Sequence, residues 1–239
     1  MSKVIAVFGA GTGLGTSVAR RFGREGFRVA LVARSKDRLE ALVAQLADEG
    51  VEAAAFPADL SEPEQVPALV DSIRDRFGRI DVIEYGPLGS EVSFTPAVKL
   101  EAAFLERLSR LLLLTPVEVV RAVAPEMTER GDGAVLMTTG LSAAHPMPNL
   151  SGPGPVMAAI RNYVYSLHGE LAASGVYAGT LTIGALILNS EGARAAAEGG
   201  APAELDADFP VVHPDELADL YWQMYTERDR IEQTYPAAA

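Results

Sequence analysis

Apolar residues recur along the chain in two alternating patterns: short, mostly apolar runs of four to seven, and longer stretches with a helical repeat. The short runs predict buried strands at 4–8, 29–33, 53–56, 80–83, 134–137 and 177–183, and Ile231–Tyr235 a short edge strand. The helical stretches between them predict helices over 15–25, 38–49, 64–77, 96–127, 156–173 and 214–228, with Gly26 and Gly78 as stops. Pro116 predicts a kink or break in the long fourth helix. Strand and helix alternating in this way specify an α/β fold, a doubly wound, mostly parallel sheet of about seven strands with helices on both faces. No linker or repeat interrupts the pattern, so residues 1–239 are expected to form one domain. The Pro/Gly/Ser-rich segment 138–155 is expected to be a substrate-side loop, and the small, acidic segment 184–212 a flap.

The first strand runs into Gly9-Ala10-Gly11-Thr12-Gly13-Leu14-Gly15 before the first helix. A strand, a tight glycine turn and a helix N-terminus direct backbone N–H groups at one point, an arrangement that suits a pyrophosphate. Gly9, Gly13 and Gly15 are needed where a Cβ would block the turn, the phosphates or the helix–strand contact. The second strand ends at Arg34-Ser35. There a dinucleotide site that prefers NAD carries an acid for the ribose 2′-hydroxyl, whereas a guanidinium and a hydroxyl suit a 2′-phosphate; NADP is expected over NAD. Asp59 and Leu60 follow the third strand, where Asp59 can bond the adenine amino group, cap the next helix, or do both.

The totals narrow the partners. The chain has 239 residues, 20 basic and 32 acidic side chains, a net charge of −12 and no cysteine. Bulk nucleic-acid binding is disfavoured by that charge, and thiolate chemistry and disulfides are excluded. No stretch approaches 18 uninterrupted apolar residues, and the start of the chain reads as strand without a leader. A cytoplasmic protein with no membrane span and a small-molecule substrate is therefore expected. His145, His168 and His213 are too scattered to form a metal unit.

These motifs together resemble the short-chain dehydrogenase/reductase family over nearly the whole chain. The glycine loop is similar to that family's cofactor loop, with Gly11, Thr12 and Leu14 among its contacts. Asp59-Leu60 resembles its adenine-contacting pair, Arg34 its NADP-selecting position, and Gly184 the glycine after its sixth strand. Gly86 sits in Glu84-Tyr85-Gly86-Pro87, where the family carries Asn-Asn-Ala-Gly at the nicotinamide end of the crevice. The resemblance implies an NADP-dependent oxidoreductase, and a homodimer or homotetramer built through the helices around 104–124 and 156–173.

The family's catalytic residues are replaced. Pro153 stands at the position of the acid tyrosine and Met157 at that of the lysine four residues on. The serine position falls on Gly140, or on Thr139 with one extra loop residue, and the helix asparagine on Leu112. No Tyr-x-x-x-Lys occurs anywhere in the chain. Reducing a carbonyl needs a proton for the developing alkoxide, and neither proline nor methionine can give one. Tyr85, Thr139 and His145 are the substitute candidates, against the alternatives of packing, strand-end bonding and a solvent-facing loop. Three functions remain open: an atypical oxidoreductase acting on an activated C=C, imine or carbonyl; a non-redox enzyme; or an NADP-binding protein with a sensing or structural role and no turnover.

Overall fold

The computed structural model describes residues 2–88, 95–195 and 209–237. Strands β1 (Val4–Phe8), β2 (Arg28–Ala33), β3 (Ala53–Pro57), β4 (Val82–Tyr85), β5 (Gly133–Gly140), β6 (Val176–Ile183) and β9 (Glu232–Tyr235) form one seven-stranded sheet. Its order is β3-β2-β1-β4-β5-β6-β9 and all of its pairings are parallel. The chain steps outward from β1 through β2 to β3, then returns to place β4 on the other side of β1. The crevice beyond the C-terminal ends of β1 and β4 is therefore the topological switch point, where open α/β sheets take their ligands.

Helices cover both faces. One face packs α1 (Leu14–Arg24), α2 (Lys36–Asp48) and α8 (Pro214–Glu227) on Ile5, Val7, Val29 and Leu31. The other packs α3 (Val66–Phe77), α5 (Thr115–Arg130) and α6 (Pro153–Leu171) on Val4, Ala6, Phe8 and Val135. Successive strand residues point to opposite faces, and in β1 and β2 both faces are buried, which is why those strands read as continuous apolar runs. Phe22 of α1 meets Trp222 of α8 edge to face at 5.2 Å, fixing the C-terminal helix to the first.

Several boundaries differ from expectation. β4 begins two residues later and runs through Glu84 and Tyr85, so neither lies in a loop. β5 extends through Thr138, Thr139 and Gly140, taking three residues from the expected substrate-side loop. The loop's far end belongs to α6, which starts at Pro153 because proline is preset for a first helical turn. The expected flap contains a two-stranded parallel sheet of β7 (Leu186–Ile187) with β8 (Val211–Val212), and α7 (Glu191–Ala195); its residues 196–208 lie outside the described part.

The long fourth helix is three pieces: α4 (Ala102–Ser109), a π-helical turn at Arg110–Leu114, and α5. Pro116 explains the join. The Thr115 N–H bonds the Arg110 carbonyl, five residues back. The Leu111 carbonyl would next turn to residue 116, which as proline has no N–H to give.

Candidate functional site

At the end of β1 the Gly9 backbone turns into the left-handed region, with φ of +101°. The N–H groups of Gly9 and Ala10 both bond the Val32 carbonyl of β2. A Cβ on Gly9 would lie 2.7 Å from Pro87 N, and one on Gly15 would lie 2.6 Å from the Gly9 carbonyl oxygen. Both contacts are impossible for a real side chain, so these glycines let β1, the turn and α1 close on one another. Gly13 sits at the N-cap of α1 without a side-chain cap. The Thr16 N–H bonds the Gly11 carbonyl, and those of Leu14 and Gly15, which have no acceptor among the described residues, stand at the positive end of the helix dipole.

A cleft of about 630 Å³ opens beside this turn. Gly9 and Gly11 form one end of it, Arg34 and Ser35 the wall at the end of β2, and Asp59 and Leu60 the wall beyond β3. The opposite side comes from Leu108, Arg107, Arg110 and Leu111 of α4 and the π turn. The Arg34 guanidinium is exposed and has no hydrogen-bond partner among the described residues. Its neighbours are engaged. Ser35 accepts from the Arg38 N–H and caps α2, and Arg110 donates to the Ser61 carbonyl, Glu62 and Glu64. Asp59 accepts from both the N–H and the hydroxyl of Ser61, at 2.9 and 2.7 Å. Those bonds, helped by the Arg34 charge, hold its carboxyl below the usual range, so it is ionised at neutral pH. The bonds to Ser61 close the turn after β3 and cap no helix, the next helical turn beginning at Pro63 without a side-chain cap, so the expectation of a helix cap at Asp59 is corrected.

Toward the expected nicotinamide end the residues separate. Tyr85 is 4 % exposed, stacks on Phe8 at 5.9 Å and donates its hydroxyl to the Leu111 carbonyl at 2.5 Å. Burial pushes its phenol well above the ordinary value. It faces the α5 side of the sheet and has no route to a substrate, so the expectation of a proton donor there is corrected to packing. Thr139 is likewise corrected. At 1 % exposure its hydroxyl bonds those of Thr180 and Thr182 inside the sheet. Thr182 passes the chain on to Glu232, which is held at about 2: burial opposes ionisation, but Arg161, Thr182 and Tyr165 all donate to it. His145 is exposed, its backbone N–H bonded to the Leu141 carbonyl.

At the positions of the missing tyrosine and lysine, Pro153 is buried and the Met157 sulfur lies 3.2 Å from Gly140 N, accepting its N–H. Leu108, Leu112 and Val156 pack beside Met157, with Phe104 against them. These neighbours are apolar, and the Ser142 hydroxyl lies beside Gly140 and Gly154 next to them. Gly184 is buried, gives its N–H to the Tyr235 carbonyl at 2.6 Å, and leaves no room for a Cβ beside Leu141. Gly86 has no room for one either, because Glu84 Oε1 and Thr138 Oγ1 would each lie 2.6 Å away.

Two features escaped the sequence. Glu84 is buried under Gly86, where it accepts from Thr138 at 3.0 Å and its Oε2 has no partner among the described residues. Desolvation pushes its carboxyl up to about 8, so it is mostly protonated at neutral pH. Glu191 of α7 reaches the same cleft as Arg34, 153 residues from the Arg38 it pairs with. A strand position with apolar neighbours gave no sign of the first, and only the tertiary fold brings the second into place. Among the described residues no group of three or more His, Cys, Asp or Glu is placed to hold a metal, and no helix is long and apolar enough to cross a membrane.

The chain is similar to known proteins along this whole region. The family model for short chain dehydrogenases matches residues 3–194. A fatty acyl-CoA reductase of Mycobacterium tuberculosis is 36% identical over 149 residues, 61% of this chain and 50% of that protein. A 1-deoxy-11-beta-hydroxypentalenate dehydrogenase of Streptomyces exfoliatus is 30% identical over 177 residues, 72% of this chain and 59% of that protein. The match thus spans only half to three-fifths of the length of these relatives. Among solved structures, a short-chain dehydrogenase from Sphingobium yanoikuyae in complex with NADPH superposes with a TM-score of 0.83 at 27% identity, covering 99% of this chain and 89% of that one. An alcohol dehydrogenase from Thermococcus sibiricus complexed with 5-hydroxy-NADP gives 0.80 at 28% identity, covering 98% and 96%. With its glycine turn, its sheet order and a family model matched over most of its length, this chain belongs to the short chain dehydrogenase family.

Proposed function

We propose that the chain is a cytoplasmic NADP-dependent oxidoreductase acting on a small organic substrate (an activated C=C, an imine or a carbonyl) through a site without the usual proton donor. The observation that carries this is the Arg34 guanidinium, without a hydrogen-bond partner among the described residues, in a cleft whose other end is formed by Gly9, Ala10 and Gly11 of the turn that leads into α1. A cation and a helix N-terminus at the two ends of one cleft fit the two anionic parts of NADP, the 2′-phosphate and the pyrophosphate. Gly9, Gly11, Thr12, Gly13, Leu14 and Gly15 would hold the pyrophosphate, Arg34 and Ser35 the 2′-phosphate, and Asp59 and Leu60 the adenine. Gly86 and Gly184 would line the nicotinamide end. The NADP-bound relatives of similar fold support the same assignment.

When bound, the cofactor supplies or accepts a hydride. The chain's own task is to orient the substrate and deal with a proton. With Tyr85 and Thr139 engaged in the core, His145 and water are the groups left for that step. Substrates whose reduction asks least of a protein acid, such as iminium ions or polarised alkenes, suit this site best. The Met157–Gly140 contact favours a second reading, an NADP binder with a sensing or structural role.

The two are separated by titrating the protein with NADPH and NADH, then following cofactor consumption against carbonyls, imines and enones. Binding with turnover of one class supports the oxidoreductase; tight binding without turnover across the panel favours the binder. Failure to bind either nucleotide refutes both. We further propose a homodimer or homotetramer through the helices around 104–124 and 156–173, supported by an open apolar groove between α5 and α6 lined by Val117, Val120, Ala124, Pro125 and Tyr163.

A further inference from the structure

The cleft wall that presents Arg34 and Ser35 also presents a carboxylate. Glu191 Oε1 accepts from Arg38 Nη1 at 2.6 Å, joining α7 to α2 across the mouth of the cleft. The carboxylate is not carried on a loose segment. Thr12 of the glycine turn donates its hydroxyl to the Asn189 carbonyl at 2.7 Å, and a Cβ on Gly13 would lie 3.1 Å from that of Ser190. Ser190 Oγ then accepts the Ala193 N–H at 3.0 Å and caps the turn that follows. The residues around Glu191 thus rest on the cofactor turn itself.

We infer that Glu191 sets the choice between a phosphorylated and an unphosphorylated adenosine ribose by competing for Arg38. This rests on the cleft being the NADP site proposed above. Arg34 alone is ready to receive a 2′-phosphate, whereas Arg38, one helical turn away, is neutralised by Glu191. Both side chains of that pair are largely exposed, and an exposed ion pair contributes little, so a dianionic phosphate can displace it. An unphosphorylated ribose leaves the pair intact and can donate its 2′-hydroxyl to the carboxylate. Glu191 therefore opposes the basic wall and narrows the preference for the phosphorylated ribose.

The test is calorimetric titration with 2′,5′-ADP and 5′-AMP, which lack the nicotinamide and read the adenosine end alone. Glu191→Gln is expected to tighten 2′,5′-ADP by roughly three- to fivefold and to leave 5′-AMP unchanged or slightly weaker. In an Arg38→Ala background the same substitution should change 2′,5′-ADP binding by less than about twofold. Equal ratios of the two affinities in the wild type and the Glu191→Gln variant would overturn the inference, as would a full gain persisting without Arg38. A wild-type protein that binds neither nucleotide fails the NADP assignment instead, a result distinct from either of these.

Discussion

The hydroxyl of Tyr85 donates to the carbonyl of Leu111 at 2.5 Å, capping a carbonyl of the π turn at the join where Pro116 has no N–H to give. A strand end and a π turn are thus locked together at the back of the crevice, and a side chain that resembled an acid is spent on structure. Tyr85→Phe should cost about 1–3 kcal/mol of stability, since the Leu111 carbonyl is left unpaired in the core. NADPH affinity should stay within about twofold of wild type. Chemical denaturation and titration check the two halves, and loss of turnover with unchanged stability would restore Tyr85 as an acid.

Thr139→Val keeps the shape of a side chain whose hydroxyl bonds Thr180 and Thr182. It should cost about 1 kcal/mol and leave any cofactor-dependent activity intact. A variant that folds normally but loses activity would place this hydroxyl at the substrate after all. Steady-state turnover against the wild type decides.

Gly15→Ala puts a methyl 2.6 Å from the Gly9 carbonyl oxygen and 2.9 Å from Ala10 Cα, both backbone atoms that cannot step aside cheaply. Stability should fall by about 1–3 kcal/mol. NADPH should bind roughly tenfold more weakly or worse, because the turn that gathers the N–H groups must widen. Thermal unfolding with and without NADPH measures both effects at once.

Glu84 makes stability depend on pH. Its folded value of about 8 lies above the ordinary 4.5, so the folded state holds a proton that the unfolded chain has lost. Its stabilising effect is complete below about pH 4.5 and is lost as the pH rises toward 8, by on the order of a few kcal/mol. Glu84→Gln, which cannot ionise, should flatten that part of the profile. Denaturant midpoints from pH 5 to pH 9 test this, and parallel profiles for the two proteins would show that Glu84 is ionised in the fold.

The frame of the molecule was legible because parallel strands buried on both faces must be apolar throughout, and because a glycine turn between strand and helix has few alternatives. Val4–Phe8 and Val29–Ala33 were readable for the first reason, and Gly9–Gly15 for the second. The direction of individual side chains was not. Glu84 and Tyr85 are adjacent and both buried, yet they point to opposite faces, and in a strand dry on both sides no apolar–polar alternation tells which. Thr139 was lost the same way, through β5 running further than its apolar core. Pro116 foretold a break, but the π turn and its tie to Tyr85 depend on β4 lying beneath it. Glu191 joins the site from 153 residues beyond Arg38, a distance no local pattern spans.

The central claim is that a phosphorylated dinucleotide is held between the α1 N-terminus and Arg34. Calorimetric titration of wild type and Arg34→Ala with NADPH and NADH tests it most directly. Wild type should bind one NADPH per chain, and Arg34→Ala should weaken NADPH by roughly tenfold or more while leaving NADH within about twofold. No binding to the wild type, or equal losses for both nucleotides, would contradict it.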